Sequence, residues 1–110
     1  MDYLSQTVKV IIDRPMCSRH PEHENLYYPI NYGYVPHTLS PDGEETDAYV
    51  IGEFVPLKEY TGVVVAIIHR TNDDDDKLVV TNKINRYSKE QIMALVEFQE
   101  RFFDSKIITE

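Results

Sequence analysis

The chain has little of several features that mark specialised classes of protein. A single cysteine, Cys17, among 110 residues allows no internal disulfide and forms no zinc-binding pattern. No apolar run approaches the roughly 20 residues that a membrane-spanning helix needs. The N-terminal residues Met1–Leu4 do not have the form of a signal peptide. We therefore expect one compact domain, residues 1–110, in the cytoplasm and without a membrane partner.

Basic residues are in the minority. Lys and Arg number 11 against 19 Asp and Glu, which gives a formal net charge of −8. Nucleic acids and anionic membranes bind proteins with an excess of Lys and Arg, so neither is an expected partner. A small anionic substrate stays compatible with this charge, because divalent metals can neutralise it at a binding site. Solubility alone would also explain the acidic balance.

Most of the chain has the pattern of short β-strands. Apolar or β-branched stretches of strand length predict them at Thr7–Asp13, Leu26–Tyr34, Asp47–Val55, Gly62–His69 and Leu78–Thr81. Pro29 confines the second of these to a sheet edge or a bulge. The polar, proline-containing segment Pro15–Asn25 predicts a loop.

After Tyr87 the apolar period changes to that of a helix. Ser88 and Gln91 have the spacing of a capping box, and apolar residues then recur at helical spacing to about Asp104. Several short strands followed by one helix predict a mainly β protein of the α+β class. The expected architecture is a small OB-like β-barrel with the C-terminal helix packed against it.

Two acidic clusters, Asp42–Asp47 and Asp73–Asp76, each lead into an apolar strand, and Lys77 follows the second. Carboxylate oxygens suit Mg²⁺ or Mn²⁺, which usually complete their coordination with water and substrate phosphates. From the residues alone, the first cluster could equally be an exposed turn and the second a solvated hairpin tip.

Three motifs in a fixed order resemble those of the soluble family I inorganic pyrophosphatases. They are the tyrosine-rich segment Tyr28–Tyr34, the acidic turn Asp42–Asp47 and the tripeptide Asp75–Lys77, with Asp13-Arg14 ahead of them. The resemblance implies an OB-like barrel and hydrolysis of inorganic pyrophosphate to two phosphates by a metal-activated water. It also implies Mg²⁺ as cofactor, with Mn²⁺ as the alternative, and assembly into a homo-oligomer.

The resemblance assigns roles to individual residues. The implied metal ligands are Asp42, Glu44, Asp47, Asp73 and Asp75. Arg14, Lys77 and Tyr32 correspond to substrate-binding residues, and Glu44 and Tyr32 to catalytic ones. Arg14 could also be an ordinary surface residue, and Lys77 could form a salt bridge with the aspartates, so both alternatives stay open.

The chain departs from the family pattern in ways that bear on activity. Glu44 stands where the family has an aspartate, and we expect no counterpart here of the family's N-terminal hairpin, which carries a glutamate and a lysine. Phe102-Phe103 is the expected match to a Tyr-Lys pair, and either Asn72 or Asp73 is the first ligand of the acidic loop. We expect weakened catalysis. The alternative is a non-catalytic or altered-substrate relative that binds metal and a diphosphate group.

Overall fold

Six strands and one helix make up the described part of this computed structural model, residues 3–40, 43–72, 75–84 and 86–109. In chain order they are β1 (Thr7–Arg14), β2 (Asn31–Val35), β3 (Thr46–Val50), β4 (Glu59–Arg70), β5 (Asp75–Thr81), α1 (Lys89–Glu100) and β6 (Ser105–Ile108). The mainly β composition with one helix confirms the predicted fold class.

Five of the strands close into a barrel. They follow the order β1-β2-β3-β5-β4, and the first part of β4 pairs back with β1. The pairing of β3 with β5 is parallel, whereas the other named pairings are antiparallel. The last part of β4, from Ile67 to Arg70, pairs with β6. This closed five-stranded barrel confirms the OB-like architecture.

The apolar residues form two cores on the two faces of the sheet, as the alternation of strand side chains requires. We call the first the helix-facing core, because it contains Ile92 and Val96 of α1. Its other buried members are Tyr28, Ile30, Tyr32, Tyr49, Ile51, Ala66, Ile68, Val79 and Ile107. The opposite core consists of Val10, Ile12, Val35, Ala48, Val50, Val64, Ile67, Leu78 and Val80.

The bounds of some elements differ from those predicted. β2 begins only at Asn31, because Tyr28 instead hydrogen-bonds with Ser18 of the preceding loop. β3 ends at Val50 instead of Val55, and Gly52 has a φ of 85° that breaks the extended backbone. The predicted capping box is confirmed, since Ser88 and Gln91 exchange side-chain-to-backbone hydrogen bonds of 3.1 and 2.8 Å.

The C-terminal region differs most from the structure that the sequence predicted. The helix ends at Glu100, four residues before the predicted end at Asp104, and the chain then turns into β6, which the helical pattern did not predict. Within the described ranges, no helix has the length and apolar character needed to traverse a lipid bilayer.

Candidate active site

A cleft of about 1260 Å³ opens beside the helix-facing core. Four of the residues predicted for the site line this cleft: Arg14, Tyr32, Asp47 and Lys77. Arg70 and Gln99 line it as well, although neither was predicted. The cleft therefore gathers residues from β1, β2, β3, β4, β5 and the last turn of α1.

Strand register explains why the acidic and basic side chains meet. Ala48 of β3 lies beside Leu78 of β5 in the parallel pair, so Asp47 and Lys77, one position earlier on each strand, are level with each other. Alternation along β5 then places Asp75 on the same face as Lys77. Arg70 of β4 lies directly opposite Asp75. Three strands thus bring two carboxylates and two cations to one edge of the barrel.

Lys77 bridges the two aspartates. Its Nζ lies 2.8 Å from Oδ2 of Asp47 and 2.7 Å from Oδ2 of Asp75. Burial alone would lower the pKa of Lys77, but the two neighbouring carboxylates raise it, so the ammonium stays protonated. The salt bridge that the sequence left open is therefore present in this structure.

Tyr32 completes the cluster. Its hydroxyl donates a 2.8 Å hydrogen bond to Oδ2 of Asp47, the same oxygen that contacts Lys77. Burial and the charge of Asp47 raise the pKa of Tyr32 well above its ordinary value. At neutral pH this hydroxyl therefore acts as a hydrogen-bond donor and not as a base.

The carboxylate pair fits a hard cation. Asp47 and Asp75 already hold one positive charge between them, the Lys77 ammonium, and they present the oxygen donors that Mg²⁺ prefers. The described ranges contain no group of three or more His, Cys, Asp or Glu side chains arranged for a metal. Two predicted ligands, Asp42 and Asp73, lie outside those ranges.

Glu44 occupies a different environment from the two aspartates that hold Lys77. It is exposed in the turn before β3, and it is not among the described residues that line the cleft. Of the five predicted ligands, the described structure thus brings Asp47 and Asp75 together and leaves Glu44 towards solvent.

Arg14 is anchored at the cleft. Its Nη1 donates a 2.7 Å hydrogen bond to the hydroxyl of Tyr28, and its guanidinium carbon lies 5.7 and 5.8 Å from the ring centroids of Tyr28 and Tyr32. Cation–π contacts at such distances favour a fixed guanidinium. The structure therefore holds Arg14 at the cleft through its contacts with Tyr28 and Tyr32.

Sequence reasoning missed the polar residues of the last helical turn. Gln99 and Glu100 are buried, at 7% and 2% exposure, whereas Phe102 in the expected Phe102-Phe103 match is 66% exposed. Gln99 and Glu100 follow the buried Val96 by three and four positions, so helical spacing placed them on the inner face. That spacing was the signal available in the sequence.

Comparison with known proteins shows which family the chain resembles. A family model described as inorganic pyrophosphatase matches residues 2–107. The inorganic pyrophosphatase of Corynebacterium glutamicum is 34% identical over 89 residues, which cover 74% of this chain and 51% of that protein. The one from Rhodospirillum rubrum is 57% identical over 30 residues, covering 27% of this chain and 17% of that protein. The matched region is thus about half the length of these curated relatives, or less.

Solved structures resemble the fold over nearly the whole chain. An inorganic pyrophosphatase from Ehrlichia chaffeensis has a TM-score of 0.73 at 18% identity, covering 98% of this chain and 88% of that one. The Helicobacter pylori inorganic pyrophosphatase has a TM-score of 0.63 at 21% identity, covering 98% and 85%. At these identities the likeness establishes the barrel and helix arrangement.

Proposed function

Since this chain belongs to the inorganic pyrophosphatase family, we propose that it hydrolyses inorganic pyrophosphate to two phosphates in a metal-dependent reaction. The observation that carries the proposal is the cluster of Asp47, Asp75, Lys77 and Tyr32 in a cleft that Arg14 also lines. Carboxylates for a metal and cations for phosphate are the two components that this hydrolysis needs.

We place the metal at the carboxylates. Asp47 and Asp75 would hold it together with Glu44, Asp42 and Asp73, and Mg²⁺ is the preferred ion with Mn²⁺ as the alternative. When bound, the ion supplies an activated water near neutral pH and neutralises phosphate charge.

The cations of the cleft bind the substrate. Arg14 presents a planar fork suited to phosphate oxygens, and its anchoring by Tyr28 fixes the direction of that fork. Once the aspartates are neutralised by another cation, the Lys77 ammonium is released to contact a phosphate oxygen. Tyr32, protonated at neutral pH, donates a hydrogen bond in the same region.

The reaction then proceeds by in-line displacement. The water oxygen forms a bond to one phosphorus, and the bond from that phosphorus to the bridging oxygen breaks with its electron pair leaving on the second phosphate. The resemblance to the family makes Glu44 the proposed acceptor of the water's proton, for which its exposed side chain would turn towards Asp47 and Asp75. Its side chain is one methylene longer than the family's aspartate, so we expect a slower reaction than in a relative with aspartate there.

The test is phosphate release from pyrophosphate with Mg²⁺ or Mn²⁺, comparing the wild type with Asp47→Asn. Loss of a ligand that also positions Lys77 and Tyr32 should lower the rate about a hundredfold or more. Glu59→Gln is the matched control, because Glu59 is an exposed carboxylate paired with Lys9 at 2.9 Å. Equal rates for the wild type and Asp47→Asn would remove the proposal.

Calorimetry distinguishes the alternative of a non-catalytic relative, for which the observations give no specific support. Mg²⁺-dependent binding of pyrophosphate without turnover would favour that alternative. The expected partner is a small phosphate substrate, and a homo-oligomer in the cytoplasm stays a prediction from the sequence.

A further inference from the structure

A continuous line of hydrogen bonds runs from the cleft into the protein interior. It begins at Arg14, which donates to the hydroxyl of Tyr28 at 2.7 Å, and Tyr28 donates to Oε1 of Gln99 at 2.8 Å. Nε2 of Gln99 donates to the hydroxyl of Tyr49 at 2.8 Å, which donates to Oε2 of Glu100 at 2.5 Å. We call Tyr28, Gln99, Tyr49 and Glu100 the Arg14 chain.

The direction of every hydrogen bond in the Arg14 chain is determined by its two ends. A guanidinium can only donate hydrogen bonds, and an ionised carboxylate can only accept them. The hydroxyls of Tyr28 and Tyr49 must therefore each accept from one side and donate to the other. The same constraint determines the orientation of the Gln99 amide: its oxygen accepts from Tyr28 and its nitrogen donates to Tyr49.

All four members of the Arg14 chain are buried. Tyr28 and Tyr49 have no exposed surface, and Gln99 and Glu100 are 7% and 2% exposed. A buried polar group that loses its partner is costly, so each link holds its neighbours in place. Burial and the Glu100 charge raise the pKa of Tyr49 well above its ordinary value, which keeps its hydroxyl a donor.

The Glu100 end of the Arg14 chain is firmly anchored. Arg70 donates from Nε and Nη2 to the two oxygens of Glu100, at 3.1 and 2.7 Å. Ser105 of β6 donates to Oε1 of the same carboxylate at 2.6 Å. The ring of Phe103 covers the Arg70 guanidinium, 3.7 Å from its carbon. Held by these contacts, the Glu100 carboxylate is a rigid acceptor for the hydroxyl of Tyr49, the next residue of the Arg14 chain.

We propose that the members of the Arg14 chain are positioning residues, which hold the Arg14 guanidinium in the orientation that binds a substrate phosphate. The inference rests on the proposed function, because it takes Arg14 as a phosphate ligand. Tyr49 and Glu100 act only through their neighbours, and neither is among the described residues that line the cleft.

The decisive variant is Tyr49→Phe, which removes one hydroxyl from the middle of the Arg14 chain. Because small misplacements of a binding group are costly, kcat/KM for pyrophosphate should fall about tenfold. Tyr60→Phe is the matched control, since it deletes the same atom where Tyr60 donates to Glu53 at 3.0 Å, and it should leave kcat/KM unchanged.

A double-mutant cycle separates positioning from mere stabilisation. In an Arg14→Met background, Tyr49→Phe should no longer change kcat/KM, whereas a change that merely destabilises the fold would lower kcat/KM in both backgrounds. If Tyr49→Phe lowers kcat/KM equally with and without Arg14, or in neither background, the proposal is wrong. If Tyr49→Phe does not fold, Gln99→Met can replace it in the cycle, because it removes the hydrogen bonds of Gln99 with Tyr28 and Tyr49.

Calorimetry with imidodiphosphate, a non-hydrolysable pyrophosphate analogue, gives a readout without turnover. With Mg²⁺ present, Tyr49→Phe should weaken binding about tenfold in the wild-type background and not in Arg14→Met. If the wild type binds the analogue with this coupling but does not hydrolyse pyrophosphate, the proposed function fails and the positioning role stands. Equal weakening in both backgrounds would overturn the positioning role whether or not hydrolysis occurs.

Discussion

Lys77 and Asp47 form a partly buried ion pair in which Nζ lies 2.8 Å from Oδ2. The side chain of Lys77 is only 7% exposed, so this ammonium is an internal counter-ion for the carboxylate. A divalent ion held by Asp47, as proposed above, would carry a like charge a few ångströms from this ammonium. We therefore expect metal binding and the Lys77 contact to compete, and a bound ion to release the ammonium.

Replacing Lys77 by Met should tighten metal binding and slow hydrolysis. Removing a positive charge a few ångströms from the carboxylates removes a repulsion of up to roughly 4 kcal/mol at an intermediate dielectric. Because the ammonium can move away, we expect affinity for Mn²⁺ to rise about tenfold, which is about 1.4 kcal/mol. A Mn²⁺ titration measures it. Lys9→Met, at an exposed ion pair, is the control. Unchanged Mn²⁺ affinity in Lys77→Met would contradict the competition.

Replacing Glu44 by Asp should raise kcat. If Glu44 is the proton acceptor proposed above, its extra methylene would displace the carboxylate by about an ångström, and a displacement of that size can cost roughly a hundredfold in rate. We expect an increase of about tenfold in phosphate release. Glu45→Asp, the same change one residue later, should have no effect. A slower Glu44→Asp enzyme would mean that the longer side chain suits this site.

Glu100 should make the fold sensitive to acid. Burial alone would raise the pKa of Glu100, but hydrogen bonds from Arg70, Ser105 and Tyr49 outweigh it and lower the pKa below the ordinary 4.5. A carboxylate whose pKa is lower in the folded state stabilises the fold above its unfolded pKa. That stabilisation is lost as the pH falls from about 4.5 through the lower folded value.

The variant Glu100→Gln tests this dependence by urea unfolding between pH 7 and pH 3. At pH 7 it removes the carboxylate charge that Arg70 contacts at 2.7 Å and should lower the free energy of unfolding by about 3–5 kcal/mol. The difference from wild type should narrow at the acidic end. Glu97→Gln, which breaks an exposed pair with Arg101, should change stability by less than about 1 kcal/mol. A pH-independent difference for Glu100→Gln would refute the assignment.

Gly33 should tolerate no side chain. A Cβ there would lie 1.8 Å from the carbonyl oxygen of Ile11 and 2.9 Å from Cα of Ile12, both backbone atoms of β1. Gly33→Ala must therefore separate β1 from β2, and we expect a loss of about 3 kcal/mol or more in the free energy of unfolding.

Gly43 is the control for that substitution. Its Cβ would meet no described atom within 4 Å, but its φ of 86° disfavours alanine by about 1–2 kcal/mol. Urea unfolding of Gly33→Ala and Gly43→Ala should rank them in that order. Similar losses in the free energy of unfolding would mean that β1 can move away from a Cβ at residue 33 at little cost.

Local patterns predicted much of the fold. The Ser88–Gln91 capping box and the strand-length apolar runs depend on neighbouring residues, so they could be found in the chain alone. The C-terminal strand β6 could not, because Ser105–Ile108 becomes a strand by pairing with Ile67–Arg70 of β4. The apolar spacing of Phe102 and Phe103 instead resembled a continuing helix.

By itself, the amino-acid sequence determined the mainly β composition, the capped helix and the acidic and basic groups available for a site, since periodicity and capping act over a few positions. Only the tertiary structure decided that Lys77 would neutralise Asp47 and that Gln99 would support Tyr28. Those contacts join residues 30 and 71 positions apart. They depend on barrel register and helix docking, which no local pattern specifies.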